Sequence, residues 1–336
     1  MLVNPVILAI ESSCDETGAA VIVNGLIKSN VIATQQVHEN FGGVVPELAS
    51  RAHQQNIVPV VNQAFQESNI SKVELDAVAF TEGPGLLGSL LVGVTFAKGL
   101  SMTLDIPLIG VHHMRAHILS HFIDDPKPSF PFICLTVSGG HTQIVIVKDY
   151  LDMDVIGETQ DDAVGEAFDK AAKMLGLPYP GGPVVDQYAQ KGNSQAFEFP
   201  DTDVPNLDFS FSGVKTAFLY FLREKVKANP NFIEENISDI CASFQFKLID
   251  MLMQKLQKAS QETGIHEIAI AGGVSANSEL RKRMKDLADI NSWNLFIPKL
   301  EYCTDNAAMI AMAGHFKYLK GQFSDLSVSA HPRLIF

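Results

Sequence analysis

The sequence predicts two similar α/β lobes in tandem, on the strength of three observations. Strand-like and helix-like segments alternate along all 336 residues. The same unit, an apolar strand, a glycine-bearing polar turn and a second apolar strand, occurs near the start and again mid-chain. Between the copies lies DDPKPSFP (124–131), a polar stretch with three prolines. Such alternation points to α/β architecture, and the length exceeds one ordinary core.

Taken in order, VILAI (6–10) reads as a strand, SCDETG as a turn and AAVIV (19–23) as the returning strand. GGVVPELASRAH (42–53) and YPGGPVVD (179–186) read as rigid loops. LIG (108–110) reads as a strand end, and HHMRAHILSHF continues with helical spacing. Proline fixes φ and pushes its predecessor toward extended structure, so no helix crosses 124–131 and a hinge is expected there. The second copy is FICLTV (132–137), SGGHT as the turn and QIVIV (143–147), although few residues coincide between the copies. IHEIAIAGGVSANSELRKRM (265–284) reads as strand, glycine turn and helix. After the strand-like LFIPKL comes a terminal helix, NAAMIAMAGHFKYLK (306–320), with Asp305 placed to cap it.

Composition excludes several classes. Hydrophobic residues at 46% and charged residues at 19% describe a globular chain, neither disordered nor collagen-like. No apolar run of about 18 residues is uninterrupted, so no membrane span is expected. The opening MLVNPVILAIESSCDE has no basic n-region and reads as a buried strand rather than a signal peptide. Cys14, Cys134, Cys241 and Cys303 lie far apart, as reduced thiols in a cytoplasm do. A net charge of −13 argues against nucleic-acid binding over the whole surface, leaving RKRMK (281–285) as the densest basic patch.

Three sets of residues carry chemistry. GVHHMRAHILSHF (110–122) holds four of the ten histidines. Side chains at i and i+4 are neighbours on a helix, so two imidazoles can reach one metal ion. Spacing does not separate His113/His117 from His117/His121, and a third ligand must come from elsewhere. The pattern lacks the glutamate that follows the first histidine in zinc proteases. Glycine turns at Ser138–Gly140 and Gly272–Gly273 expose amides of the kind that nest phosphate, although neither matches a phosphate-loop or dinucleotide fingerprint. Acids gather at turns: Asp15 and Glu16 in the first hairpin, Asp161 and Asp162 before AVGEAFDKAAKMLG, and Asp305. Acids at turns also serve simply as caps.

In combination these stretches are recognisable. IESSCDETGAAV, HENFGGVVPELASRAH, HHMRAHILSHF, TVSGGHTQIVIV, GEAFDKAAKMLGLPYPGGP, FSFSGVKTAF, AGGVSANSELR and CTDNAAMIA follow one another across nearly the whole chain. The series closely resembles the tRNA N6-adenosine threonylcarbamoyltransferase family of bacterial type, formerly labelled a glycoprotein endopeptidase. The resemblance implies an α/β fold of duplicated ribonuclease-H-like lobes, as in the actin/hexokinase ATPase superfamily, with a central nucleotide cleft. It implies one lobe from residues 1–125 plus about 306–336, and another from 126–305. It implies one divalent cation, Fe²⁺ or alternatively Zn²⁺, held by His113, His117 and Asp305. Thr136, Val137, Ser138, Gly139 and Gly140 would approach nucleotide phosphates, Asp169, Gly182 and Asp186 the ribose, and Asn277 the base. Asp15 and Glu16 match an acidic pair at the reaction centre. The implied reaction moves the threonylcarbamoyl group of threonylcarbamoyl-adenylate to N6 of the adenosine beside the anticodon, releasing AMP. The implied partners are tRNA, an inactive paralogue and a small P-loop ATPase, with no membrane. Arg115 stands where many relatives carry glutamate or a small or polar residue. A metalloprotease and a small-molecule kinase of the same superfamily are the rival readings.

Overall fold

The computed structural model describes residues 4–202 and 204–336. Met1–Val3 of the opening stretch, Asp203, and the side chains of Glu39 and Asn40 in the HENFGG motif lie outside the described residues. The chain divides into two compact units, one reaching through Lys127 and resuming over Pro298–Phe336, the other spanning Pro128–Ile297.

The first unit opens with β1 (Val6–Glu11), β2 (Glu16–Val23) and β3 (Leu26–Thr34). Helix α1 (Pro46–Ser68) leads to β4 (Ala77–Gly83), helix α2 (Leu87–Leu104), β5 (Leu108–His112) and the short α3 (His113–Leu119). The second unit contains β6 (Phe132–Val137), β7 (Thr142–Asp149), β8 (Asp152–Glu158), α4 (Val164–Met174) and α5 (Gly181–Ala189). It continues through α6 (Ser212–Ala228), α7 (Phe232–Thr263), β9 (Glu267–Ala271), α8 (Ser278–Asn291) and β10 (Asn294–Phe296). Helix α9 (Ala307–Leu319) then returns to the first unit.

The strand orders are β3-β2-β1-β4-β5 and, read from the matching edge, β8-β7-β6-β9-β10. In each sheet the central strand pairs antiparallel with its hairpin partner and parallel with the strand that follows a helical crossover. The duplication is therefore complete at the level of topology.

Periodicity explains which face each helix covers. Leu8 and Ile10 of β1 and Val78 and Phe80 of β4 join Ile57, Val60, Leu90 and Val94 in one apolar cluster beneath α1 and α2. The alternate residues face α9, where a side chain on Gly314 would meet the Ala79 Cβ at 2.7 Å. In the second unit the 32-residue α7 presents Cys241, Phe244, Leu248, Leu252 and Leu256 to the core at helical spacing. Phe218 and Phe244 meet there with ring centroids 4.4 Å apart.

Four expectations change. PELASRAH is helix rather than loop, because Pro46 sits at the first helical position, where its missing N–H costs nothing. YPGGPVVD likewise opens α5, because Asp169 Oδ1 accepts from the amides of Gly181 and Gly182 at 2.8 and 3.3 Å. Asp305 falls in the first unit, which resumes at Pro298, and not in the second. It does not cap α9 either: the Asn306 side chain accepts from the Met309 amide at 3.0 Å, leaving the Asp305 carboxylate free of that duty. Helix α2 is also long and apolar enough, by length and composition, to cross a membrane. Here Leu90, Val94 and Ala97 are sealed in the core of the first unit.

Candidate metal centre and nucleotide loop

β5 runs without a break into α3, which sets His113 and His117 one turn apart on its buried side. Their rings lie 4.8 Å apart, nearly perpendicular at 88°. The segment that leads into α9 brings Asp305 to them. Its Oδ1 stands 3.3 Å from His113 Nε2 and 3.1 Å from His117 Nε2. One potential ligand atom from each residue falls within 4.8 Å of the others. His113 and His117, rather than His121, share this grouping with Asp305; α3 ends at Leu119 and His121 lies in a 3-10 turn.

A fourth residue, which the sequence reading missed, completes the cluster. Glu11, the last residue of β1, is fully buried. Its Oε2 faces His113 Nδ1 at 3.1 Å and accepts from the Thr81 hydroxyl at 2.6 Å, while Oε1 accepts from the Ser13 amide. The signal was an acid ending an otherwise apolar strand. The Ser13 hydroxyl lies 3.3 Å from the same His113 nitrogen.

These contacts set the electrostatics. Burial alone would lift the Asp305 carboxyl, but His113 and His117 hold it well below the usual carboxylate range. Burial opposes charge on His113, yet Asp305 and Glu11 raise it well above an ordinary histidine. Burial wins at His117 and lowers it. Glu16, at the start of β2, is pushed up to about 9 by burial and by the charges of Asp305 and Asp15. Burial also raises the Cys14 thiol beside this pair, so it is no nucleophile at neutral pH.

Two imidazoles and a carboxylate, with a carboxylate behind one imidazole, are a fitting donor set for a borderline divalent cation. His117 Nδ1 is buried and unpartnered among the described protein atoms, so Asp305 is the polar contact of that ring. Arg115, between the two histidines, carries its guanidinium over the Phe336 ring at 5.0 Å.

The remaining expected site residues lie in the second unit. Thr136 and Val137 end β6 with fully buried side chains, and the Thr136 hydroxyl donates to the Gln143 carbonyl, so neither side chain is presented to a ligand. Ser138, Gly139 and Gly140 form the hairpin turn itself, closed by the Ser138 amide donating to the His141 carbonyl at 2.8 Å. Open space surrounds Gly139 and Gly140, whereas Gly165 and Gly272 are required by close approach to this turn. A Cβ on Gly165 would strike the Ser138 carbonyl oxygen at 2.5 Å, and one on Gly272 the Val137 carbonyl oxygen at 2.5 Å. Asp169 and Gly182 meet at the start of α5. Asp186 accepts from the amide and hydroxyl of Ser278 at 3.1 and 2.7 Å, beside Asn277, whose Oδ1 caps α8 at the Leu280 amide. In the basic RKRMK stretch, Arg283 is committed to Asp250 and Arg281 to the Ser275 carbonyl.

Comparison with known proteins places this arrangement. The sequence profile of the tRNA N6-adenosine threonylcarbamoyltransferase family matches residues 26–312. A protein of that name from Cytophaga hutchinsonii is 62% identical, covering 98% of this chain and 96% of its own length. Another from Christiangramia forsetii is also 62% identical, covering 98% of both chains. Among solved structures, full-length HypF in a phosphate- and nucleotide-bound form matches with a TM-score of 0.62 at 14% identity, covering 95% of this chain and 47% of that one. Component A of (R)-2-hydroxyglutaryl-CoA dehydratase from Acidaminococcus fermentans matches with a TM-score of 0.53 at 12% identity, covering 95% of this chain and 100% of that one. At such identities the structures bear on fold alone, and they agree with the duplicated α/β topology described above. The sequence matches carry the rest: the chain belongs to the tRNA N6-adenosine threonylcarbamoyltransferases, transferases whose substrate is tRNA.

Proposed function

We propose that this chain moves the threonylcarbamoyl group of threonylcarbamoyl-adenylate to N6 of adenosine 37, in tRNAs reading codons that begin with A. The carrying observation is the convergence of His113, His117 and Asp305, backed by Glu11. Adenine N6 is a weak nucleophile because its lone pair is delocalised into the ring, so the donor must be activated and the amine oriented. As N6 attacks the acyl carbon, the N–C bond forms, the C–O bond to phosphate breaks, AMP leaves with the electron pair and N6 loses a proton. A divalent cation held by His113, His117 and Asp305, Fe²⁺ or Zn²⁺, would supply Lewis acidity toward the acyl oxygen and the phosphate.

Asp15 or Glu16 takes the N6 proton, a role worth about 10²–10⁴ in rate. Glu16 at about 9 carries its own proton at neutral pH, and positive charge nearby is what would free it to act as a base. In the other unit the turn Ser138–Gly140 offers amides to phosphate, with Thr136 and Val137 fixing its root. Both amide contacts to Asp169 fall on Oδ1, which leaves Oδ2 for a ribose hydroxyl near Gly182. Asp186 and Asn277 complete the ribose and base contacts.

A net charge of −13 supports weak, steeply salt-dependent tRNA binding by the isolated chain and a need for partner subunits, namely an inactive paralogue and a small P-loop ATPase. Four free cysteines suit work in the cytoplasm. The test supplies donor, tRNA and partner subunits to wild type and to His113→Ala. Wild type should form the modified adenosine and His113→Ala should not, with bound metal lost in parallel. Full modification by a metal-free His113→Ala protein would overturn the proposal.

A further inference from the structure

Gln245 lies midway along α7 and is 3% exposed. Its neighbours on the buried side, Cys241, Phe244 and Leu248, are apolar, and a methionine would fill the same volume without needing polar partners. Yet both ends of its amide are used. Nε2 donates to Asp186 Oδ1 at 3.0 Å, and Oε1 accepts from Asn277 Nδ2 at 2.8 Å.

Donor and acceptor logic leaves one arrangement. An ionised carboxylate only accepts, so the NH₂ of Gln245 must face Asp186. Asn277 Oδ1 is committed to the Leu280 amide, so its NH₂ must face Gln245. Residues on α5, α7 and the cap of α8 are thereby locked into one chain of hydrogen bonds. Gln245 also forms part of the wall of a ≈510 Å³ cleft, with Gln190, Ser278 and Lys282. The tie therefore borders open space.

We infer that Gln245 is a positioning residue for nucleotide binding, holding Asp186 and Asn277 at a fixed separation and in fixed orientation. The inference rests on the assignment of those two residues to the nucleotide. It requires no contact between Gln245 and the ligand: the side chain acts through its two partners. Substitution should weaken nucleotide binding more than it slows the chemical step.

Gln245→Met removes both hydrogen bonds at near-constant volume. Gln245→Glu keeps an acceptor for Asn277 but sets a second carboxylate where the donor to Asp186 stood, 3.0 Å away. The measurements are AMP affinity of the full chain by calorimetry, and kcat and KM for threonylcarbamoyl-adenylate in the assembled complex. Asp186→Ala and Asn277→Ala serve as controls. Gln245→Met should weaken AMP binding and raise KM by about tenfold, with kcat within about threefold of wild type. Gln245→Glu should be worse than Gln245→Met, because like charges repel. Metal content should not change.

If Asp186→Ala loses AMP while Gln245→Met binds it like wild type, the inference fails and the nucleotide assignment stands. If Asp186→Ala and Asn277→Ala also bind AMP normally, the assignment itself fails and the inference with it. Equal losses for Met and Glu, tracking a lower unfolding temperature and a lower kcat, would reduce Gln245 to core packing and overturn the inference. Should the Met variant not fold, the isosteric Glu variant is measured against wild type, and AMP binding by Gln245→Glu equal to wild type would overturn the inference.

Discussion

Replacing Glu11 with glutamine tests the proposed metal centre without touching a proposed ligand. The wild-type carboxylate only accepts, and it serves three donors: the Ser13 amide at Oε1, and the Thr81 hydroxyl and His113 Nδ1 at Oε2. A glutamine offers one acceptor oxygen and turns the other position into a donor. Whichever way the amide is set, one buried pair becomes donor against donor, since Glu11 is fully buried and no solvent can repair it. If the oxygen stays with Ser13, His113 loses the carboxylate that holds a proton on Nδ1, the contact that would leave Nε2 for a bound cation. Losing a carboxylate behind a ligating histidine costs about 10–100-fold in metal affinity, or about 1.4–2.7 kcal/mol. Competition with a chromophoric chelator, using Zn²⁺ on the purified chain, reads that loss directly. Circular dichroism on the same sample separates it from unfolding. A folded Glu11→Gln protein that binds Zn²⁺ as tightly as wild type would refute the reasoning.

Three further outcomes are expected. Gly272→Ala forces an L residue into φ 89°, ψ 167° and drives its Cβ to 2.5 Å from the Val137 carbonyl oxygen. It should cost about 1–3 kcal/mol in urea unfolding and weaken AMP binding, and an unchanged midpoint would contradict the close approach. Asn306→Ala removes the α9 cap and should cost about 1 kcal/mol, with reduced Zn²⁺ affinity because Asp305 is the adjoining residue; stability at the wild-type value would show that the cap is idle. Burial would lift the Asp162 carboxyl, but Lys170 and Lys215 hold it below its ordinary value. A depressed folded pKa stabilises fully above the unfolded value and is lost as pH falls through the folded one. Asp162→Asn should therefore destabilise at neutral pH and flatten the acid limb of the stability–pH curve, an effect absent if the lysine contacts carry no weight.

Much of this was legible before the structure. Apolar runs bounded by polar turns located β1, β6, β7 and β9, because strand burial on both faces leaves a continuous apolar signature. The histidine spacing located α3, and the motif series pointed to Asp305, whose carboxylate the fold brings beside His113 and His117. What was not legible had physical reasons. Pro46 and the Gly181–Pro183 start of α5 looked like loops because helix openings and turns favour the same residues. Glu11 hid inside a strand, since only tertiary contact with His113 and Thr81 gives a buried acid its purpose. Gln245 hid likewise within a long helix, its partners being 59 and 32 residues away. Propensity favours Asp305 and Asn306 alike as the cap of α9, and only the fold shows that Asn306 performs it.

The duplication also shows how one topology carries two turns of opposite character. Glu11 and Val137 occupy equivalent places, each the last residue of the central strand and each paired across its hairpin, with Gly18 and Thr142 respectively. In the first unit that place holds a buried carboxylate, followed by a turn with Asp15 and leading to Glu16. Negative charge there is tolerable only with cationic compensation, which His113 begins to supply. In the second unit the same place holds a sealed valine, followed by a turn whose two glycines face open space. A glycine turn without acids suits an anion, as an acid-lined one suits a cation. Exchanging these characters should exchange the preferences. An acidic residue at Gly139 should abolish AMP binding while leaving Zn²⁺ affinity intact, because the two sets of residues belong to separate compact units. Loss of both by the Gly139→Asp chain, with its fold preserved, would show that the two chemistries are not independently encoded.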